Sequence, residues 1–132
     1  HIEQLEQRNR EFAVAFNTGD PRLIVEANWA FHDTINRASG NRFLAADCSK
    51  LLRSMMRLSL FAFRQDRSSL AGYSDITKQH QDMIEAIRDR DADRAEELVF
   101  IHSDEFRQRM LAFVAGASTA GISLVPRKGA GR

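Results

Sequence analysis

The chain has 132 residues, of which 43% are hydrophobic and 28% charged, and its formal net charge is +1. These values are typical of one globular domain, and they exclude a disordered tail, a collagen-like chain and a disulfide scaffold. The single cysteine, Cys48, cannot form an internal disulfide, and no apolar run approaches the ~20 residues of a membrane helix. We therefore expect a cytoplasmic protein with no membrane partner.

The positive charge is concentrated at the end of the chain. Residues 116–132 carry Arg127, Lys128 and Arg132 and no acidic residue, so residues 1–115 hold 16 basic against 18 acidic residues, a net charge of −2. A body of that charge lacks the basic surface of a nucleic-acid-binding domain. The chain also has no initiator methionine, so we expect it to be part of a longer protein whose DNA contacts, if any, lie elsewhere.

Glycine, proline and capping residues divide the first half of the chain into helices. The first helix is predicted over roughly 2–18, where Gly19 ends it. Asp20 as N-cap and Pro21 at the first helical position then start a second helix that runs to about residue 38. Gly40 is a stop signal, and Asn41 caps the next helix.

The second half continues with longer helices. The third is predicted over roughly 42–64, and its apolar stripe is expected to face one way: Leu44, Cys48, Leu51, Leu52, Met55, Leu58 and Ala62. A connection at 66–73 leads to a fourth helix over roughly 74–89, and Asp91 caps the fifth. With no β-alternation, the fold class is all-α: an antiparallel bundle of about five to six helices over residues 1–115, followed by a flexible glycine-containing tail at 116–132.

Polar residues interrupt the apolar faces of three predicted helices. Asn28 and His32 are four residues apart on the inner face of the second helix, since positions i and i+4 share a face. His80 and His102 fall on the inner faces of the fourth and fifth helices. A lone histidine on such a face is usually hydrogen-bonded in the core. A single metal ion, however, would bind all three buried imidazoles, with Asn28 as a further ligand.

Two segments carry a family resemblance. ANWAFHDTINRASGN and QHQDMIEAIRDRDADRAEELVFIH resemble the hallmarks of the FCD domain, the C-terminal ligand-sensing domain of GntR-superfamily regulators of the FadR subfamily. The resemblance covers about residues 5–112. It implies a helical bundle with a buried pocket, in which an Asp and three His of many members bind a divalent metal beside a small carboxylate effector.

Carried onto this chain, the resemblance implies metal ligands at Asn28, His32, His80 and His102. Asn28 departs from the usual Asp, and a neutral amide is a weaker ligand for a dication. Three histidines nevertheless suffice for a transition metal such as zinc or nickel. Arg57 is the first expected contact for the effector carboxylate and Arg53 the second, because arginine forms bidentate pairs with carboxylates.

The resulting hypothesis is a regulatory domain that is not an enzyme. A winged helix-turn-helix, absent from this chain, would bind DNA, and the whole protein would act as a homodimer. Two alternatives remain: a helical metalloenzyme that uses a three-histidine site, and an interaction module without a small ligand. The first lacks a His-Glu-x-x-His motif, and none of the three inward histidines has a glutamate three residues earlier.

Overall fold

The computed structural model describes residues 1–65 and 75–119, which form five helices and no strand. The helices are α1 (Ile2–Thr18), α2 (Pro21–Ala38), α3 (Arg42–Gln65), α4 (Ile76–Arg88) and α5 (Ala92–Thr119). The all-α bundle is confirmed, with boundaries within two residues of the predicted ones at the ends that the sequence defined. None of the described helices is long and apolar enough to cross a membrane.

Two predicted segments fall wholly or partly outside the described residues. The connection at 66–73 lies outside them, and so do residues 120–132 of the predicted tail. Helix α5 continues through Gly116 to Thr119, four residues into that tail.

The predicted caps set the helix boundaries. Gly19 ends α1 in the left-handed conformation (φ 66°), which glycine adopts without a steric penalty. The Asp20 side chain accepts a 2.8 Å hydrogen bond from the backbone N–H of Arg22, two residues into α2. Asn41 Oδ1 accepts two backbone N–H groups at the start of α3, each at 3.1 Å. Local signals therefore define the first three helices, as the sequence predicted.

Helix α2 is central to the packing, because α1 and α3 both lie against it, while α4 packs on α1 and α5 on α4. Two apolar clusters hold these helices together. One contains Phe12, Ile24, Val25, Phe63 and Ile76, and the other Leu5, Phe31, Met83 and Ile84. A fully buried side chain of this kind contributes about 1.5–3 kcal/mol of transfer free energy. Both clusters border the inward histidine of α4, through Phe12 and Phe31.

The expected inner face of α3 is largely wrong, although Ala62, which belongs to it, is buried. Leu44, Leu51, Met55 and Leu58 are 39–66% exposed, whereas the buried residues of this helix are Ala45, Ser49, Ser59, Ala62 and Phe63. Ser49 Oγ donates a short hydrogen bond to the buried Asp33 carboxylate of α2. Small side chains and this polar pair orient α3 against α2, so hydropathy alone selected the wrong face.

Candidate metal centre

Three histidines from three helices meet inside the bundle. His32 comes from α2, His80 from α4 and His102 from α5, and one ring nitrogen of each lies within 4.8 Å of the others. The Nε2 atoms of His32 and His102 are 3.1 Å apart. Nitrogen ligands of a tetrahedral zinc ion are about 3.3 Å apart, given Zn–N bonds of about 2.05 Å. The three rings therefore need small adjustments to share one ion.

His80 is the most deeply buried of the three, with no exposed surface. Its ring stacks on Phe31 at a centroid distance of 3.8 Å and meets Phe12 edge-on at 5.1 Å. Neither Nδ1 nor Nε2 has a hydrogen-bond partner among the described residues. A buried polar group left unpaired costs about 1–3 kcal/mol, so the imidazole is poorly satisfied without a ligand.

A chain of hydrogen bonds fixes the orientation of His102. Glu105 Oε2 accepts a 2.8 Å bond from the Gln79 amide nitrogen, which turns the amide oxygen of Gln79 toward His102. That oxygen accepts a 2.7 Å bond, so the donor is His102 Nδ1–H. His102 Nε2 then carries a lone pair, which points toward His32 Nε2 at a distance of 3.1 Å. The arrangement presents a metal-ligating nitrogen toward the other two rings.

All three histidines are neutral near pH 7. Burial lowers the pKa of His32 to about 3, with a further contribution from the neighbouring His102. Burial, with Arg109 second, lowers the pKa of His102 to about 4, and Glu105 partly opposes the change. The pKa of His80 is lowered furthest, again by burial first. Neutral imidazole is the form that binds a metal ion.

Asn28 lies one turn before His32, where its Oδ1 is buried without a hydrogen-bond partner among the described residues. An unpaired amide oxygen beside three neutral imidazoles is a further ligand atom for a cation. The unsatisfied atoms of Asn28 and His80, and the donor set as a whole, fit a divalent transition metal.

A pocket of about 150 Å³ opens against this cluster, between α2, α3 and α5. Asn28, His32 and His102 form its polar part, and His80 lies behind them, outside the lining. The other lining residues are Val25, Trp29, Leu52, Met55, Met56, Ser59, Ser103 and Phe106. A small molecule in this pocket would therefore touch the same residues that would hold the ion.

Comparison with family models identifies the family of this domain. The family model of the FCD domain matches residues 1–105, which include all four candidate ligands. The chain belongs to the FCD domain family. Comparisons with curated proteins and with solved structures give no match. The FCD domain is the C-terminal ligand-sensing domain of GntR/FadR-type regulators, so the resemblance carried by the two sequence segments is confirmed.

The two arginines predicted for the effector lie outside the lining of the FCD pocket. Arg57 is exposed, and its Nη2 donates to Ser54 Oγ at 3.2 Å. Arg53 is also exposed, with its guanidinium carbon 5.6 Å from the centre of the Trp29 ring. Because Trp29 lines the pocket, Arg53 is the nearer of the two by contact. Their role toward an effector stays a prediction.

The sequence pattern did not identify the residues that orient the candidate metal ligands. Gln79 and Glu105, which orient His102, lie on different helices and show no motif; only the i, i+3 spacing of His102 and Glu105 hints at a shared face. Asp33 follows His32 in the sequence but does not line the pocket. It is buried, where it accepts from Ser49 and from Arg37 Nε (2.6 Å), and these bonds hold its pKa below the usual value against the opposing effect of burial.

Proposed function

We propose that this FCD domain is the sensor of a GntR-type transcription regulator. In this proposal His32, His80, His102 and Asn28 hold a divalent transition metal, and the adjoining pocket receives a small carboxylate effector. The observation that carries the proposal is the convergence of three neutral imidazoles at the base of the pocket, with the His80 nitrogens and Asn28 Oδ1 unpartnered among the described residues.

The lining of the pocket explains why a metal would be needed. No arginine, lysine or acidic residue lines it within the described part of the chain. A carboxylate that enters an uncharged pocket loses its hydration without gaining an ion pair, which is strongly unfavourable. A bound dication supplies the missing positive charge. The neutral nitrogen ligands favour zinc or nickel over magnesium or calcium, which prefer oxygen ligands.

The same lining argues against the metalloenzyme alternative. A metal-dependent hydrolase needs a general base next to the bound ion. Glu105 is engaged by Gln79, Asp33 by Ser49 and Arg37, and neither lines the pocket. We therefore propose a binding function without catalysis for this domain.

In the whole regulator, a winged helix-turn-helix would contact DNA, and two copies would form a homodimer in the cytoplasm. Effector binding regulates DNA binding only if the effector prefers one of two arrangements of the dimer. Of the two candidate arginines, Arg53 is the one we propose to assist effector entry: it is exposed against Trp29 and lies outside the pocket lining, so it would attract the anion without pairing with it inside the pocket.

The proposal is tested by metal analysis of tag-free protein. Mass spectrometry should find about one equivalent of transition metal per chain, and a chelator should lower the melting temperature. His80→Ala and His102→Ala should lose the metal, whereas His1→Ala, which changes the histidine at the chain start, should keep it. Asn28→Asp should tighten zinc binding by at least tenfold, since it replaces an amide by a carboxylate. Unchanged metal content in both His80→Ala and His102→Ala would overturn the proposal.

A further inference from the structure

Among the described residues, the pocket has one polar end, and its walls are apolar apart from two serines. Asn28, His32 and His102 stand at the metal-binding end. The walls are formed by Val25 and Trp29 of α2, by Leu52, Met55 and Met56 of α3, and by Phe106 of α5. An occupant therefore meets hydrogen-bonding groups at one end and hydrocarbon, sulfur and aromatic surface along its sides.

The walls provide few hydrogen-bond partners for a second polar group of an occupant. Ser59 is the hydroxyl on the α3 side, and it already donates its hydrogen to the backbone oxygen of Met55 at 3.0 Å. Ser103 follows His102 and is exposed, so it lies toward solvent. A second carboxylate, or the hydroxyl groups of a sugar acid, would be desolvated against the apolar walls without partners. Each neutral polar group of the occupant that is buried without a hydrogen-bond partner weakens binding, and an unpaired charge weakens binding more.

The volume limits the size of the occupant. Apolar cavities of about 150 Å³ hold a molecule the size of benzene, and this pocket has the same volume. The part of an occupant that the pocket encloses is thus a short body of roughly six to nine heavy atoms, including the polar head that reaches the histidines.

From these three observations we infer the chemical class of the effector. It is a small monocarboxylate with an apolar body, branched aliphatic or aromatic, rather than a dicarboxylate, tricarboxylate or sugar acid. The inference rests on the proposed sensor function and narrows it to one ligand class. The carboxylate faces Asn28, His32 and His102, and the apolar body lies between the methionines of α3 and Phe106 of α5.

The test compares a branched monocarboxylate with a dicarboxylate of similar size and with a larger sugar acid. Zinc-loaded and chelated wild-type protein are titrated with 3-methylbutanoate, succinate and gluconate, by calorimetry and by the fluorescence of Trp29, the only tryptophan of the chain and a pocket residue. 3-Methylbutanoate should bind at least tenfold more tightly than either of the other two acids. Succinate or gluconate binding as tightly as 3-methylbutanoate would overturn the inference.

A pair of lysine variants on α3 tests where the acid binds. Met55→Lys places a cation in the apolar wall at a residue that is 39% exposed, so the fold should tolerate it. It should weaken 3-methylbutanoate at least tenfold and strengthen succinate. Leu51→Lys, on the same helix but outside the pocket lining and 66% exposed, should change neither. Equal effects of the two variants would place the acid elsewhere and overturn the inference.

The outcomes separate this inference from the sensor proposal. Selective binding of 3-methylbutanoate by the zinc-loaded protein supports the inference. The same selectivity in the chelated protein supports the inferred ligand class and overturns the proposed role of the metal in holding the carboxylate. Zinc uptake without selective acid binding overturns the inference and leaves the metal site standing. Binding of neither zinc nor any of the acids overturns both.

Discussion

His80 is placed where a metal-free core would prefer a hydrocarbon side chain, and replacing it should stabilise the metal-free protein. The ring is fully buried, and both of its nitrogens are without a partner among the described residues. His80→Leu keeps a similar volume and removes both polar atoms. We expect the variant to be more stable than the wild type in the presence of a chelator.

The size of the effect follows from two opposing contributions. Two unpaired buried groups cost about 1–3 kcal/mol each, so their removal contributes about 2–6 kcal/mol. The stack of His80 on Phe31 is lost, which costs about 0.5–1.5 kcal/mol. The imperfect fit of a new side chain costs about 1 kcal/mol more. Taking the middle of each range, the net expected gain in the free energy of unfolding is about 2 kcal/mol at pH 7.

Urea denaturation of chelated protein at pH 7 measures this difference directly. Met83→Leu is the matched control, since Met83 is equally buried on α4 but carries no unpaired polar atom. The control should be neutral or destabilising by less than about 1.5 kcal/mol. Zinc at 100 times its dissociation constant should then add about 2.7 kcal/mol to the wild type and nothing to His80→Leu.

A fall of more than about 1 kcal/mol in the free energy of unfolding of His80→Leu, with the Met83→Leu control as expected, would refute this prediction. That result would mean that the imidazole of His80 stabilises the metal-free core, through partners that the contacts around it do not reveal. The case for a ligand at this position would then lose its energetic basis.

Two further predictions concern protons and positioning. The folded-state pKa values of His32 and His102 are about 3 and 4, against 6.5 in the unfolded chain, so the unfolded state binds protons first as the pH falls. Chelated protein should therefore keep full stability above pH 6.5 and lose about 2 kcal/mol of unfolding free energy per histidine between pH 7 and pH 5. A urea midpoint that stays flat over that range would contradict the expectation. Gln79→Leu removes the acceptor of His102 Nδ1–H and should weaken zinc binding 10–100-fold in a competition titration. Gln81→Leu, which breaks only the bond to Glu85 within α4, should bind zinc like the wild type, and equal losses in the two variants would rule out a positioning role for Gln79.

The sequence predicts the helices well because their ends are set locally. Gly19, Asp20 and Asn41 act on the backbone next to them, so the boundaries of α1, α2 and the start of α3 can be read from short segments. The convergence of the histidines is also predictable in part, since each one interrupts an apolar stripe. Each stripe indicates only that the residue faces inward. The distances between the rings depend on how three helices pack.

The rotation of α3 could not be predicted, because two opposite faces of this helix are apolar. Hydropathy favours the face with Leu51 and Leu58, but the buried face carries Ala45 and Ser49, and Ser49 pairs with Asp33 of α2. A hydrogen bond between distant residues decides between the two faces. The Gln79–Glu105 pair behind His102 was missed for the same reason: both residues look like ordinary surface residues until α4 and α5 are packed together.

The position of α3 determines how a ligand in the pocket could change the surface of the domain. The candidate metal ligands all come from α2, α4 and α5, so a bound ion would cross-link those three helices. Helix α3 contributes no ligand to the ion. Helix α3 presents Leu52 and Met56 to the pocket, while Leu51 and Phe61 stand out on its exposed side. A bound small molecule that displaced this helix from its inner side would therefore also move the apolar residues on its outer side, and would change the surface that α3 offers to another protein domain.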